Sequence, residues 1–293
     1  MDSLKALHER ILSAGEPFVQ DWPLTRDPVP IVALTIVYLT FVKWIGPALM
    51  RDRKPLTLKT PMALHNLFLI SLNAWVCFTE GQLAWFHRES YTKCFLFGTK
   101  APLQEALVAY VYYISKYIDW IDTIILVARK KERHISILHL YHHASMPLAT
   151  WIFVKLSPGG HITYSGFINA FVHVIMYSYF FLASLGPHMQ PYLGWKKYLT
   201  QLQMIQFATV FVHSVQWLFK PCGHPMILTY ILCANSLFFF ALFSNFYVQT
   251  YRRQAKRSAA AAAVASPLAP PACGNDKQAL LVAADDVILK KLD

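Results

Sequence analysis

Residues 106–128 read ALVAYVYYISKYIDWIDTIILVA, an apolar run interrupted by three ionisable side chains, Lys116, Asp119 and Asp122. A bilayer core of roughly 30 Å is crossed by about 20 mainly apolar helical residues, so this run is long enough to span. Six more stretches have that length and character, at 30–50, 62–86, 135–154, 162–185, 198–219 and 226–250. Trp44, Trp85, Trp195 and Trp217 stand near their ends, where amphipathic rings favour the headgroup level. The fold class expected is therefore an all-α integral membrane protein with seven transmembrane helices.

Composition agrees. The 293 residues are 55% apolar and only 15% charged, against roughly 25% charged in soluble domains. Mean hydropathy is +0.35. These values exclude a disordered chain, a collagen-like repeat and an ordinary water-soluble enzyme. The formal charge of +11 resides in the connections between spans, which argues for a lipid bilayer as partner and against nucleic acid. The first span starts too late and runs too long for a cleaved signal peptide, and it lacks a small-residue cleavage site.

Basic residues set the orientation. Alternate connections hold fourteen on one side, including Arg51, Lys130, Lys197 and Arg253, and eight on the other. The positive-inside rule puts the fourteen in the cytosol, the N-terminus in the lumen and the C-terminus in the cytosol. Three parts are expected: a lumenal segment 1–29, a seven-helix domain 30–250, and a cytosolic basic, low-complexity tail 251–293. Lys290 and Lys291 occupy the third and fourth positions from the end, as in the dilysine signal that returns membrane proteins to the endoplasmic reticulum. Cys94 and Cys222 fall in lumenal connections, where oxidation is permitted, and are expected to form a disulfide.

Ionisable groups inside a span are costly and mark function by default. Lys116, Asp119 and Thr123 share one helical stripe, with Asp122 one turn beyond Asp119. A self-neutralising ion pair that only fixes packing is the bland alternative. The next span begins ISILHLYHHASMPLATW, and His139, His142 and His143 stand at i, i+3 and i+4 on one face. Asn169, His173 and Tyr177 repeat at intervals of four, and Thr200, Gln203 and Gln206 at intervals of three. Glu80, His65, Asn66 and Asn73 form a weaker set, assigned to packing. Three imidazoles can bind a metal or act as nucleophile and base. A di-iron centre needs several ligands per iron, and no second histidine box exists, so no metal site is expected.

Taken together these boxes resemble the ELO-type very-long-chain fatty acid elongases, the 3-oxoacyl-CoA synthases of the endoplasmic reticulum. The family's KxxExxDT corresponds to Lys116 through Thr123, and its HxxHH to His139 through His143. Its NxxxHxxMYxYY is Asn169 through Phe180, and its TxxQxxQ is Thr200 through Gln206. Asp119 replaces the usual Glu, and Phe180 replaces the last Tyr.

The resemblance implies six helices in a ring around an acyl-chain tunnel, with the first span outside. It implies a transferase that condenses a long-chain acyl-CoA with malonyl-CoA, giving 3-oxoacyl-CoA, CO2 and CoA, with no tightly bound cofactor. Leu140-Tyr141 and Ala144-Ser145-Met146 resemble members acting on polyunsaturated chains. His142 is the expected nucleophile, flanked by His139 and His143, with His173 assisting. Lys116, Asp119, Asp122, Thr123, Asn169, Tyr177, Gln203 and Gln206 are the expected supporting groups. Partners implied are the reductases and dehydratase of the elongation cycle; a homodimer is compatible. A seven-span receptor does not need three histidines on one stripe, and a transporter is disfavoured by the absence of an internal repeat.

Overall fold

The computed structural model describes residues 2–91, 93–98, 101–220 and 223–252, and all regular structure among them is helical. An N-terminal helix α1 (Asp2–Ser13) precedes α2 (Pro28–Thr40), which continues through a π turn, Phe41–Ile45, into α3 (Gly46–Met50). There follow α4 (Lys59–Glu80), α5 (Pro102–Ile118), α6 (Trp120–Ala128), α7 (Ile137–Leu156), α8 (Thr163–Ser184), α9 (Lys196–Phe219) and α10 (Met226–Tyr247). The chain forms two compact units, Met1–Phe243 and Ser244–Asp293. The second is described only through the end of α10 and the π turn Val248–Arg252. Cys222, Lys290 and Lys291 lie outside the described residues.

Four helical stretches are long and apolar enough to cross a bilayer: Pro28–Met50, Lys59–Trp85, Gly160–Ser184 and Met226–Tyr251. The other three expected spans are also helical. The 106–128 stretch is divided at Asp119 into α5 and α6, while α7 and α9 carry the His, Gln and Lys side chains that make them more polar.

Local chemistry sets the helix ends. Asp27 caps α2 by accepting from the Val29 N–H at 2.9 Å, and Pro28 supplies a first residue that has no N–H to satisfy. That bond, with a smaller contribution from His8, holds the Asp27 carboxyl below the usual carboxylate range. Ser136 caps α7 by accepting from the His139 N–H at 3.1 Å, which fixes the helical register of the histidine segment.

Helix neighbours follow a definite order. α4 packs along α8 and also against α5; α5 packs against α7, and α8 against α9. Phe239 of α10 stacks on Phe207 of α9 at 5.5 Å and meets His142 of α7 edge-on at 5.1 Å. α2 lies against α7, and α3 against α6. A cavity with an empty volume of about 850 Å³ lies among α4, α5, α7, α8, α9 and α10.

At one end of this cavity the chain turns sharply before α8. Gly160 has φ +74°, and a Cβ there would stand 2.9 Å from the Phe97 backbone N. A left-handed conformation costs an L-residue about 1–2 kcal/mol, before the overlap is counted. Gly160→Ala should therefore lower stability by at least about 1 kcal/mol, read as a fall in the thermal unfolding midpoint of detergent-solubilised protein.

Candidate active site

The three histidines of α7 occupy its first two turns and are held from different directions. His139 and His143 pack ring on ring at 4.3 Å, and His142 meets His143 edge-on at 5.6 Å. His139 Nε2 lies 2.8 Å from the Thr123 hydroxyl, which accepts from the Tyr38 O–H at 2.9 Å. Tyr38 belongs to α2, so a helix outside the cavity reaches the histidine segment. Pro147 explains a second brace. Having no N–H, it leaves the His143 carbonyl without its helical donor. The Trp120 indole N–H fills that role at 2.7 Å, and the Trp120 ring stacks on Tyr38 at 4.4 Å.

Beside the histidines lies a buried polar network. Lys116, 2% exposed, donates to Asp119 and to the Asn169 side-chain oxygen, each at 3.4 Å. Its ammonium also sits 4.3 Å from the centre of the Tyr112 ring, whose hydroxyl donates to Asn169 at 2.9 Å. The Tyr177 hydroxyl stands 3.0 Å from both Asp119 Oδ1 and Asp122 Oδ2; with one hydrogen it donates to one at a time. His65 of α4 completes the chain, with Nε2 3.1 Å from Asp122 Oδ1. A buried charge needs such compensation, and here the ammonium faces one carboxylate, a side-chain amide oxygen and an aromatic face, with Asp122 joined through Tyr177.

The expected residues mostly converge. His173 lies within Coulombic range of His142 and Lys116, and its ring is 5.6 Å from that of Tyr177. His142 lines the cavity together with Asn169 and Gln206. Gln203 instead points toward Met176, its amide 3.5 Å from the sulfur. The buried Nδ1 atoms of His142 and His173 make no hydrogen bond. Of the two, His142 lines the cavity. Among the described residues, no group of three or more His, Cys, Asp or Glu side chains is arranged to hold a metal ion.

The departures also find physical places. Asp119, one methylene shorter than Glu, engages both oxygens, Oδ1 with Tyr177 and Oδ2 with Lys116. The Phe180 ring is 39% exposed, so no buried partner calls for a hydroxyl there. Cys94 is disulfide-bonded, while Cys77 and Cys233 are free thiols.

Sequence reading missed Tyr38, Trp120 and Tyr112, and it assigned Glu80 and His65 to packing. Tyr38, Glu80 and His65 lie on helices remote in sequence from the boxes, whereas Tyr112 and Trp120 stand in the same stretch as Lys116 and Asp119 and reach across it, to Asn169 of α8 and the His143 carbonyl of α7. A lone Tyr in an apolar span carries no periodic signal. His161 and His213, isolated in sequence, meet at 5.6 Å in an aromatic cluster with Trp85 and Trp217, at the end of the cavity away from the histidine box.

The Trp120 brace is testable by coupling. Trp120→Phe keeps the ring and removes the N–H, leaving the His143 carbonyl unsatisfied at a cost of about 1–3 kcal/mol. In a Pro147→Ala background the new N–H can serve that carbonyl, so the same change should cost clearly less. Thermal unfolding of the four proteins measures the difference; equal costs in both backgrounds would contradict the assignment.

Comparison with known proteins identifies the family. The sequence profile of the ELO family, described as the GNS1/SUR4 family, matches residues 23–259. The chain is 40% identical over 241 residues to very long chain fatty acid elongase 7 of Drosophila melanogaster, covering 81% of this chain and 73% of the relative. It is 37% identical over 260 residues to a very long chain fatty acid elongase of Aedes aegypti, covering 88% and 73% respectively. Human very long chain fatty acid elongase 4 is 35% identical over 247 residues, covering 83% and 78%. With the profile spanning α2 through α10 and the histidine segment, the chain belongs to the ELO family of very long chain fatty acid elongases.

Proposed function

We propose that this protein is the condensing enzyme of fatty acid elongation, joining a long-chain acyl-CoA to malonyl-CoA in the endoplasmic reticulum membrane. Family membership carries the reading to fatty acid elongation, and it sets aside the receptor and transporter alternatives. The observation that carries the chemistry is His142, which lines the cavity while its Nδ1 has no hydrogen-bond partner. The acyl chain lies in the cavity, with its thioester at the histidines.

In the first step a His142 ring nitrogen attacks the thioester carbonyl. The C–S bond breaks, CoA leaves as the thiol with the proton released from the imidazole, and an acyl-imidazole remains. In the second step the malonyl carboxylate departs as CO2. Its bonding pair becomes an enolate carbon, which attacks the acyl carbonyl and returns the pair of the C–N bond to His142, whose nitrogen takes up a proton from solvent and is restored to the neutral imidazole. The product is a 3-oxoacyl-CoA two carbons longer. His139 and His143 orient His142 or move its proton, and His173 steadies the oxyanion. Lys116, Asp119, Asp122, Thr123, Asn169 and Tyr177 hold the charge balance, and Gln206, which lines the cavity, supplies amide hydrogen bonds, while Gln203 is turned to Met176. Direct condensation in a ternary complex, with His142 only a base, is the rival.

Seven spans fit the helices, and the neighbour order α4–α5–α7–α10–α9–α8 supports a six-helix ring around a tunnel, with α2 outside. The N-terminus lies in the lumen and the tail in the cytosol, where the basic connections suit the CoA phosphates and Lys290 and Lys291 serve retrieval. Cys94 pairs with Cys222 on the lumenal side. The 3-oxoacyl-CoA passes to the reductases and dehydratase of the cycle, and a polyunsaturated chain remains the substrate suggested by the residues around the histidines.

Mixing purified protein with acyl-CoA alone should release about one CoA per site and leave an acyl mass on the α7 peptide. His142→Ala should remove both signals. Release of CoA only after malonyl-CoA is added would contradict the acyl-histidine route.

A further inference from the structure

The cavity does not end on apolar side chains alone. Glu80, in the last turn of α4, is 4% exposed and lines it, as does Thr163 at the start of α8. Both residues also line a second, smaller cavity with an empty volume of about 230 Å³. Glu80 and Thr163 are therefore a wall shared by two cavities, with the one that His142 lines on one face.

The wall is anchored. Thr163 donates to the Gly160 carbonyl at 2.8 Å and accepts from the Trp85 indole N–H at 3.0 Å. Glu105 and Phe95 line the smaller cavity beyond it, and Glu105 is tied down by the N–H groups of Gly98 at 3.2 Å and Ala101 at 3.3 Å. Two buried carboxyls thus face that space. An apolar chain end gains nothing by displacing them, because a buried polar group deprived of its partners is costly.

The cavity is extended along α7. His142 and Val154 both line it from α7, and a rise of about 1.5 Å per residue separates them by about 18 Å.

We propose that Glu80, with Thr163, is the partition that closes the acyl cavity and so determines the longest chain the enzyme extends. This rests on the elongase reading above and adds to it a specificity-determining residue remote from the histidines. The side chain beyond the Glu80 Cβ separates the two spaces. Removing it joins them, and a longer chain then enters without displacing a carboxyl.

The test uses full-length protein in membranes with malonyl-CoA and a panel of acyl-CoAs of increasing length. Glu80→Ala and Thr163→Ala open the wall from either side, and the longest product should lengthen by at least one round of elongation. Glu80→Gln, which keeps the shape, should leave the limit unchanged. Leu83→Phe in the Glu80→Ala background refills the smaller cavity and should restore the original limit. Wild-type protein gives an independent measurement that needs no variant. A long-chain acyl-CoA with a diazirine at its terminal carbon should, on irradiation, insert at Glu80, Thr163 or their immediate neighbours. An unchanged product limit in folded, active wall variants overturns the proposal, as does insertion confined to other helices. Neither result touches the elongase reading, which instead fails if the wild-type protein extends no chain at all.

Discussion

One cation organises this structure. Lys116 is buried out of reach of water, and its ammonium must find its partners within the protein. It finds Asp119 on its own helix, Asn169 on α8 and the face of Tyr112. Asp119 in turn binds Tyr177, Tyr177 reaches Asp122, and Asp122 meets His65 on α4. Three helices that are separate in sequence are thereby locked in register around one charge. Replacing such a network with apolar residues is often neutral for stability, so its value lies in geometry rather than in holding the fold together. The geometry it fixes is the floor on which His142, His143 and His173 stand.

The second constraint is the proline. A histidine segment in an unbroken helix would have every carbonyl satisfied within α7. Pro147 removes one donor, and the freed His143 carbonyl is bound by Trp120, which stacks on Tyr38. Tyr38 also reaches His139 through Thr123. A helix outside the cavity thus contributes to holding two of the three histidines, which gives the first span a reason to pack where it does. His142 is left as the member that faces the cavity with an unpartnered nitrogen.

Much of the site was legible from spacing alone. Intervals of three and four put Lys116 with Asp119, and Asn169 with His173 and Tyr177, on single faces, and the structure buries all five. Periodicity speaks only of one helix at a time. Which helices face each other depends on packing across distant parts of the chain, so Tyr38, the Trp120 brace and the wall role of Glu80 had no signal, while Tyr112, four residues before Lys116 on α5, shared its face and was passed over. The division at Asp119 was likewise hidden, because an aspartate inside an apolar run does not by itself break a helix. The substitution of Phe180 for tyrosine became intelligible only with its exposure, and Gln203 was grouped with Gln206 although only Gln206 lines the cavity.

The central claim is that carbon–carbon bond formation occurs at the histidines beside this cavity. Its most direct test is product analysis with carbon-13-labelled malonyl-CoA and purified, detergent-solubilised protein. The account predicts a 3-oxoacyl-CoA two carbons longer than the acyl-CoA supplied, with both added carbons labelled. Thioester hydrolysis without any labelled, lengthened product, from protein shown to be folded, would contradict it.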